Sequence, residues 1–223
     1  MRLKPFSAVI FDMDGTLLDT ELVFREIVWE VSGALGFTMT ETVHLGMVGA
    51  SHEAARRLLG ETYGADFPFE TFDAECRRLM QGRMQQAVPV KTGVVELLDE
   101  LAARRIPMAV ATSSRARNAH HHLDSAGLIA RFETIVTRDD VVAPKPDPEP
   151  YLLAASRLAQ DPRSCLAIED SHTGVRAAHA AGMQTIMVPD LLQPSEDVLR
   201  LCRVMASLHE VRRAAFAPAV ANS

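Results

Sequence analysis

Five short apolar runs punctuate the chain: Ala8-Val9-Ile10-Phe11, Met108-Ala109-Val110-Ala111, Thr134-Ile135-Val136-Thr137, Cys165-Leu166-Ala167-Ile168 and Thr185-Ile186-Met187-Val188. Short continuous runs rich in β-branched residues predict strands buried on both faces, as in a parallel sheet. Amphipathic stretches of helical length accompany the later runs. Over 94–105, Val94, Leu97, Leu98, Leu101 and Ala102 share one face, with Asp99, Arg104 and Arg105 elsewhere. A stretch over 115–126 ends at Gly127, and one over 171–181 starts at a Ser171 cap and ends at Gly182. Strand alternating with helix predicts an α/β fold: a Rossmann-like, doubly wound parallel sheet with right-handed crossovers.

The first strand breaks that rhythm. After it come Leu22 to Leu35 ending at Gly36, Glu53 to Leu59 ending at Gly60, and Phe69 to Gln86, all helical in pattern. Pro89 and Gly93 mark the return to alternation. The expected organisation is therefore a core formed by 1–17 and 89–223, with a helical cap over 18–88 lying above the carboxyl ends of the strands. The alanine-rich tail after Val211 is expected to fray.

Composition narrows the function. The 223 residues are 48% hydrophobic and 23% charged, as in a globular protein of one large domain or a domain with an insert. A net charge of −6 argues against a nucleic-acid polymer as partner, though a positive pocket for a small anion remains compatible with it. Cys76, Cys165 and Cys202 form no CxxC pair, which points to reduced thiols and a cytoplasmic setting. The apolar run near Met1 is short and interrupted by Asp12, so neither a signal peptide nor a membrane partner is expected. A monomer is the default.

Four polar clusters follow predicted strands: Asp12 with Asp14, Thr112 with Ser113 and Ser114, Lys145, and Glu169 with Asp170. A parallel sheet would gather them on one rim. Clustered carboxylates repel one another unless a cation sits among them, and an all-oxygen donor set favours Mg²⁺. Such a cation, with Lys145 and the Thr112 hydroxyl, suits a phosphoryl group. One carboxylate can serve as nucleophile while its neighbour moves the leaving-group proton. Phosphate monoester hydrolysis needs enhancements of up to roughly 10²¹-fold, so this density of charge matches the demand.

Asp12-Met13-Asp14-Gly15-Thr16, Thr112 after an apolar strand, Lys145-Pro146, and Glu169-Asp170-Ser171 followed by Gly174 and Ala180-Ala181-Gly182-Met183 resemble the four motifs of the haloacid dehalogenase-like hydrolases. The subgroup most resembled carries a helical cap, as in β-phosphoglucomutase and related sugar- and nucleotide-phosphate phosphatases. The resemblance implies Asp12 as nucleophile and Asp14 as general acid/base. It implies Mg²⁺ held by Asp12, the Asp14 backbone carbonyl and Asp170, with Glu169 as a further ligand. Thr112 and Lys145 would hold the phosphoryl group, Gly15 and Thr16 shape the nucleophile loop, and Ser113 and His52 bind substrate. The substrate class is a small phosphorylated metabolite.

Departures from the family pattern select among activities. Asp14 argues against a dehalogenase, which lacks the second acid. The mutases carry a histidine and a cap arginine where this chain has Phe24 and His52, so a phosphosugar mutase is the runner-up. No lysine occurs between Lys4 and Lys91, which removes the cap Schiff base of phosphonate-cleaving relatives. Pro144 replaces the usual glycine before the motif-three lysine. Selectivity is expected from Gly49 to Glu53, and hinges near 17–20 and 87–92.

Two other readings are weaker. A calcium loop starting at Asp12 would need glutamate at its twelfth position, where Val23 stands. A phospho-accepting signalling domain also gathers aspartates, a Thr/Ser and a lysine on a parallel sheet, but has no helical insert. His120-His121-His122 and Asp139-Asp140 are expected to be solvated, and Trp29 to pack within the cap.

Overall fold

The structure, a computed structural model, describes residues 3–48, 50, 52–86 and 88–216. The chain divides into two compact units, Met1–Asp19 with Pro89–Ser223, and Thr20–Val88.

The first unit is built on a parallel sheet of six strands: β1 (Ala8–Phe11), β2 (Met108–Ala111), β3 (Thr134–Val136), β4 (Cys165–Glu169), β5 (Gln184–Met187) and β6 (Arg203–Val204). Their order is β3-β2-β1-β4-β5-β6. All residues of β1, β2 and β4 are buried, which explains why they read as unbroken apolar runs rather than as alternation. The strand order reverses between β1 and β4, which pair in register from Ala8 with Cys165 to Phe11 with Ile168. Ligands of open α/β sheets bind at the carboxyl ends beside such a reversal. The two-residue β6 has no counterpart among the five expected strands; it is too short to carry a pattern.

Among the described residues, five α-helices belong to this unit: α5 (Val94–Ala103), α6 (Ala116–Ser125), α7 (Glu149–Arg157), α8 (His172–Ala180) and α9 (Leu208–Phe216). On one sheet face Ala8, Ile10, Ala109, Ala111, Val136 and Ala167 pack with Tyr151, Ala154 and Ala155 of α7 and Ala177 and Ala178 of α8. Small side chains on both sides allow close approach of helix and sheet, and the bulk of Tyr151 fills the space left. The expected fraying after Val211 is corrected through residue 216. Val211 is fully buried, α9 packs against α5, and the Phe216 ring meets Phe6 at 6.2 Å. The remainder of that tail lies outside the described residues.

The second unit is helical: α1 (Thr20–Ala34), α2 (Glu41–Met47), α3 (His52–Tyr63) and α4 (Phe69–Gln86). Phe37, Tyr63, Phe67 and Phe72 form a chain of ring contacts 4.8 to 5.6 Å apart. Trp29 stands edge-on to His44 at 5.2 Å beneath the Arg25 guanidinium. α2 was not expected, being short, but Thr40 caps it by accepting from the Val43 amide. α3 runs through Gly60 and stops before Gly64, whose φ of 102° is the left-handed stop that Gly60 does not supply.

The segments leading out of and back into the first unit are tied together. Leu18 and Val90 form an antiparallel bridge, Asp19 N donates to Pro89 O at 2.8 Å, and Lys91 N donates to Leu17 O at 3.0 Å. The Lys91 ammonium is 2.5 Å from Asp190 Oδ1 and 3.8 Å from Asp19 Oδ1.

Candidate active site

Asp12 is the first residue beyond β1, and its amide donates to Ile168 O at 2.9 Å, which pins it to the end of β4. The chain then reverses: the amides of Leu17 and Leu18 both donate to Met13 O, and Gly15 N donates to Leu18 O. Gly15 takes φ +85°, and a β-carbon there would collide with the Asp170 carboxylate. A glycine is therefore required twice over, by backbone conformation and by space. The buried Thr16 hydroxyl donates to Asp170 Oδ1 at 3.3 Å.

The end of β2 supplies Thr112, buried, whose Oγ1 accepts from the Ser114 amide at 3.0 Å. Ser114 Oγ donates to Asp14 Oδ2 at 2.7 Å. Ser113, the expected substrate contact, is exposed; the hydroxyl that reaches the acid is its neighbour's.

Glu169 closes β4 with no exposed surface. Its Oε1 accepts from Lys145 Nζ at 2.5 Å and from the Tyr151 hydroxyl at 2.6 Å. Its Oε2 accepts from the Asp170 and Ser171 amides, each at 3.2 Å, and from Ser171 Oγ at 3.0 Å. Lys145 Nζ lies 2.6 Å from Asp12 Oδ1. Gly174, in the first turns of α8, is what makes room for Glu169, since a β-carbon there would overlap its carboxylate. Drawn from four distant segments, these residues fall into two bonded groups: Lys145 joins Asp12 to Glu169, whose Oε2 accepts from the Asp170 amide, while Ser114 joins Thr112 to Asp14.

Three carboxylates here share one ammonium. Burial pushes Asp12 up to about 8 against the pull of Lys145, with Glu169 and Asp14 adding to the rise. Burial, then Asp12 and Glu169, hold Asp170 well above the usual carboxylate range. Burial opposes the charge on Lys145, but Asp12 and Glu169 outweigh it and keep the ammonium charged. The excess negative charge fits a cation. Oxygens of Asp12, Glu169 and Asp170 lie within 4.8 Å of one another, and no histidine or thiolate joins them among the described residues. This hard, all-oxygen set suits Mg²⁺. Glu169 already accepts from five donors, so Asp12 and Asp170 keep more free capacity. The Asp14 carboxylate stands outside the group, directed to Ser114; only its backbone carbonyl remains as the donor the resemblance implies.

His52 opens α3 in the helical unit, with Nε2 3.2 Å from Asp73 Oδ2 and its ring edge-on to Phe69 at 4.9 Å. Gly49 and Ser51 of the expected selectivity segment lie outside the described residues. Asp139 and Asp140 lie exposed in a short 3-10 turn, as expected, and each also holds local structure: Asp139 accepts from the Ala116 amide that opens α6, and Asp140 accepts from Thr137 and Arg157. Of the three histidines, His120 and His121 are exposed, but His122 turns inward and its Nδ1 is buried without a partner. Tyr151 and Ser114 are the site neighbours that sequence reasoning passed over or gave no role, whereas Ser171 is the expected cap of α8, its hydroxyl accepting from the Gly174 amide. Tyr151 carried no signal beyond its place in an apolar helix face.

Comparison with known proteins identifies the family. A family model described as haloacid dehalogenase-like hydrolase matches residues 9–188. The chain belongs to that family. It is 35% identical over 179 residues to a phosphorylated carbohydrates phosphatase of Thermotoga maritima, covering 80% of this chain and 83% of that one. It is 32% identical over 183 residues to the fructose-1-phosphate phosphatase of Escherichia coli, covering 82% and 96%. Among solved structures, a haloacid dehalogenase family hydrolase from Deinococcus radiodurans with bound phosphate and sodium superposes with a TM-score of 0.83. Its identity is 30%, over 94% of this chain and 95% of that one. As a haloacid dehalogenase-like hydrolase, the chain carries Asp12, Thr112 and Asp170 directly after β1, β2 and β4, and Lys145 in the segment between the edge strand β3 and α7.

Proposed function

We propose that this protein is a Mg²⁺-dependent phosphatase that hydrolyses a small phosphate monoester, of sugar phosphate or nucleotide type, through an aspartyl-phosphate on Asp12. The observation that carries the reading is the Asp12–Lys145–Glu169 chain of contacts beside Asp14 and Asp170, at the reversal between β1 and β4. The named activities of the phosphatase relatives support the substrate class.

In this mechanism an Asp12 carboxylate oxygen attacks phosphorus as the ester P–O bond breaks, and Asp14 gives its proton to the departing oxygen. Asp14, now a carboxylate, takes a proton from water as that water attacks the phosphorus. The bond to Asp12 breaks and inorganic phosphate leaves. Lys145 and Thr112 offer donors to the phosphoryl oxygens throughout. Asp12, Asp170 and the Asp14 carbonyl, with Glu169 beside them, would hold Mg²⁺, which would supply the positive charge that lets these carboxylates and a phosphoryl group share the site. Ser114 keeps Asp14 aimed. The helical unit is assigned the choice of leaving group.

The test is phosphate release from a panel of sugar phosphates and nucleotides with Mg²⁺. Release from one class by the wild type, lost in Asp12→Asn, is expected. Conversion of a hexose 1-phosphate to its 6-phosphate without phosphate release would replace hydrolysis with mutase activity.

A further inference from the structure

Tyr151 heads the largest fully buried side chains. A buried phenol needs an acceptor, and this one donates to Glu169 Oε1 at 2.6 Å. The same oxygen accepts from Lys145 Nζ at 2.5 Å, so both of its lone-pair positions are taken. Glu169 Oε2 is held by two backbone amides and the Ser171 hydroxyl, so the carboxylate cannot rotate. Lys145 spends one N–H on Glu169 and one on Asp12 Oδ1 at 2.6 Å. Its third N–H is left for another acceptor, and the first two fix where it points. If the tyrosine hydroxyl were missing, Oε1 would have a vacant position onto which the ammonium could slide. The third N–H would swing with it.

We propose that Tyr151 is a positioning residue: by occupying one lone pair of Glu169 Oε1, its hydroxyl sets the direction in which Lys145 presents its free N–H to a phosphoryl oxygen. This deepens the phosphatase reading and rests on it for the turnover arm of the test alone.

Tyr151→Phe removes the oxygen and keeps the ring, whose centroid lies 5.0 Å from Lys145 Nζ. Inorganic phosphate is titrated by calorimetry in excess Mg²⁺, and the Lys145 ammonium is followed by ¹⁵N–¹H NMR. The variant is expected to bind phosphate about tenfold more weakly, the scale of one hydrogen bond to a charged group. Its Lys145 signal should move, and kcat on any ester turned over should fall by more than KM rises. Ala154→Gly loosens α7 without touching the hydroxyl and should leave phosphate affinity unchanged. In the wild type, the Tyr151 hydroxyl proton should shift when phosphate binds, a reading that needs no variant. Wild-type phosphate affinity and an unmoved Lys145 signal in Tyr151→Phe would overturn the proposal. So would an equal loss in Ala154→Gly, or an unmoved hydroxyl proton. If no ester is turned over yet the phosphate and NMR arms respond as expected, the phosphatase reading fails and the role of Tyr151 stands.

Discussion

Ser114 donates its hydroxyl hydrogen to Asp14 Oδ2 across 2.7 Å, so a residue beyond the end of β2 aims a carboxylate of the loop that follows β1. Ser114→Ala leaves that carboxylate free to turn. The expected result is a fall in kcat of about tenfold, as for one hydrogen bond to a charged group. The loss should be larger for alkyl phosphates, whose leaving group needs the proton, than for p-nitrophenyl phosphate. A series of esters of graded leaving-group pKa measures it.

Gly174 and Gly60 both lie within helices, yet alanine should act on them in opposite directions. A β-carbon at Gly174 meets the Glu169 carboxylate, whereas one at Gly60 meets nothing within 4 Å. Gly174→Ala should lose about 1–3 kcal/mol to overpacking and also impair activity. Gly60→Ala should gain about 0.4–1 kcal/mol by restricting the unfolded chain. Urea denaturation reads both.

His44, in α2, has no exposed surface and neither ring nitrogen has a hydrogen-bond partner. Burial lowers its pKa from 6.5; Glu41 opposes the shift and Arg25 assists it. The folded protein therefore binds the proton less readily than the unfolded chain. Stability is unaffected well above pH 6.5 and declines as pH falls below that value, until the folded imidazole also protonates. Melting temperatures from pH 7.5 down to about pH 5 should fall less steeply in His44→Phe than in the wild type.

Asp12, pushed up to about 8 in the metal-free cluster, is expected to release a proton when Mg²⁺ binds. Mg²⁺ affinity should rise as pH is brought from 6 toward 8, and the calorimetric enthalpy should depend on the ionisation heat of the buffer. Asp170→Asn should weaken Mg²⁺ binding while leaving the fold intact. EDTA should abolish turnover and added Mg²⁺ restore it.

Much of the architecture was legible because its central strands are short and buried on both faces. Ala8–Phe11 and Cys165–Glu169 have no polar side to hide their apolar run until the carboxylate that ends the second. The candidate site was legible because its charged groups stand at strand ends, where a parallel sheet gathers them. What escaped depends on distances the sequence does not encode. Tyr151 looks like one more core residue on α7, and Ser114 like a duplicate of Ser113, until Glu169 and Asp14 are seen beside them. Glu169 reads as a ligand on its own; its load of five donors shows only in three dimensions. Gly60 reads as a helix stop because propensity favours one, but α3 carries on past it at a modest cost.

The central claim is the covalent step on Asp12, and acid-quenched mass spectrometry during turnover tests it most directly. With a hydrolysed ester and Mg²⁺, the peptide containing Asp12 should gain the mass of one phosphoryl group, which Asp12→Asn should never show. A wild-type peptide that stays unmodified throughout rapid turnover, with Asp12→Asn still active, would contradict the account.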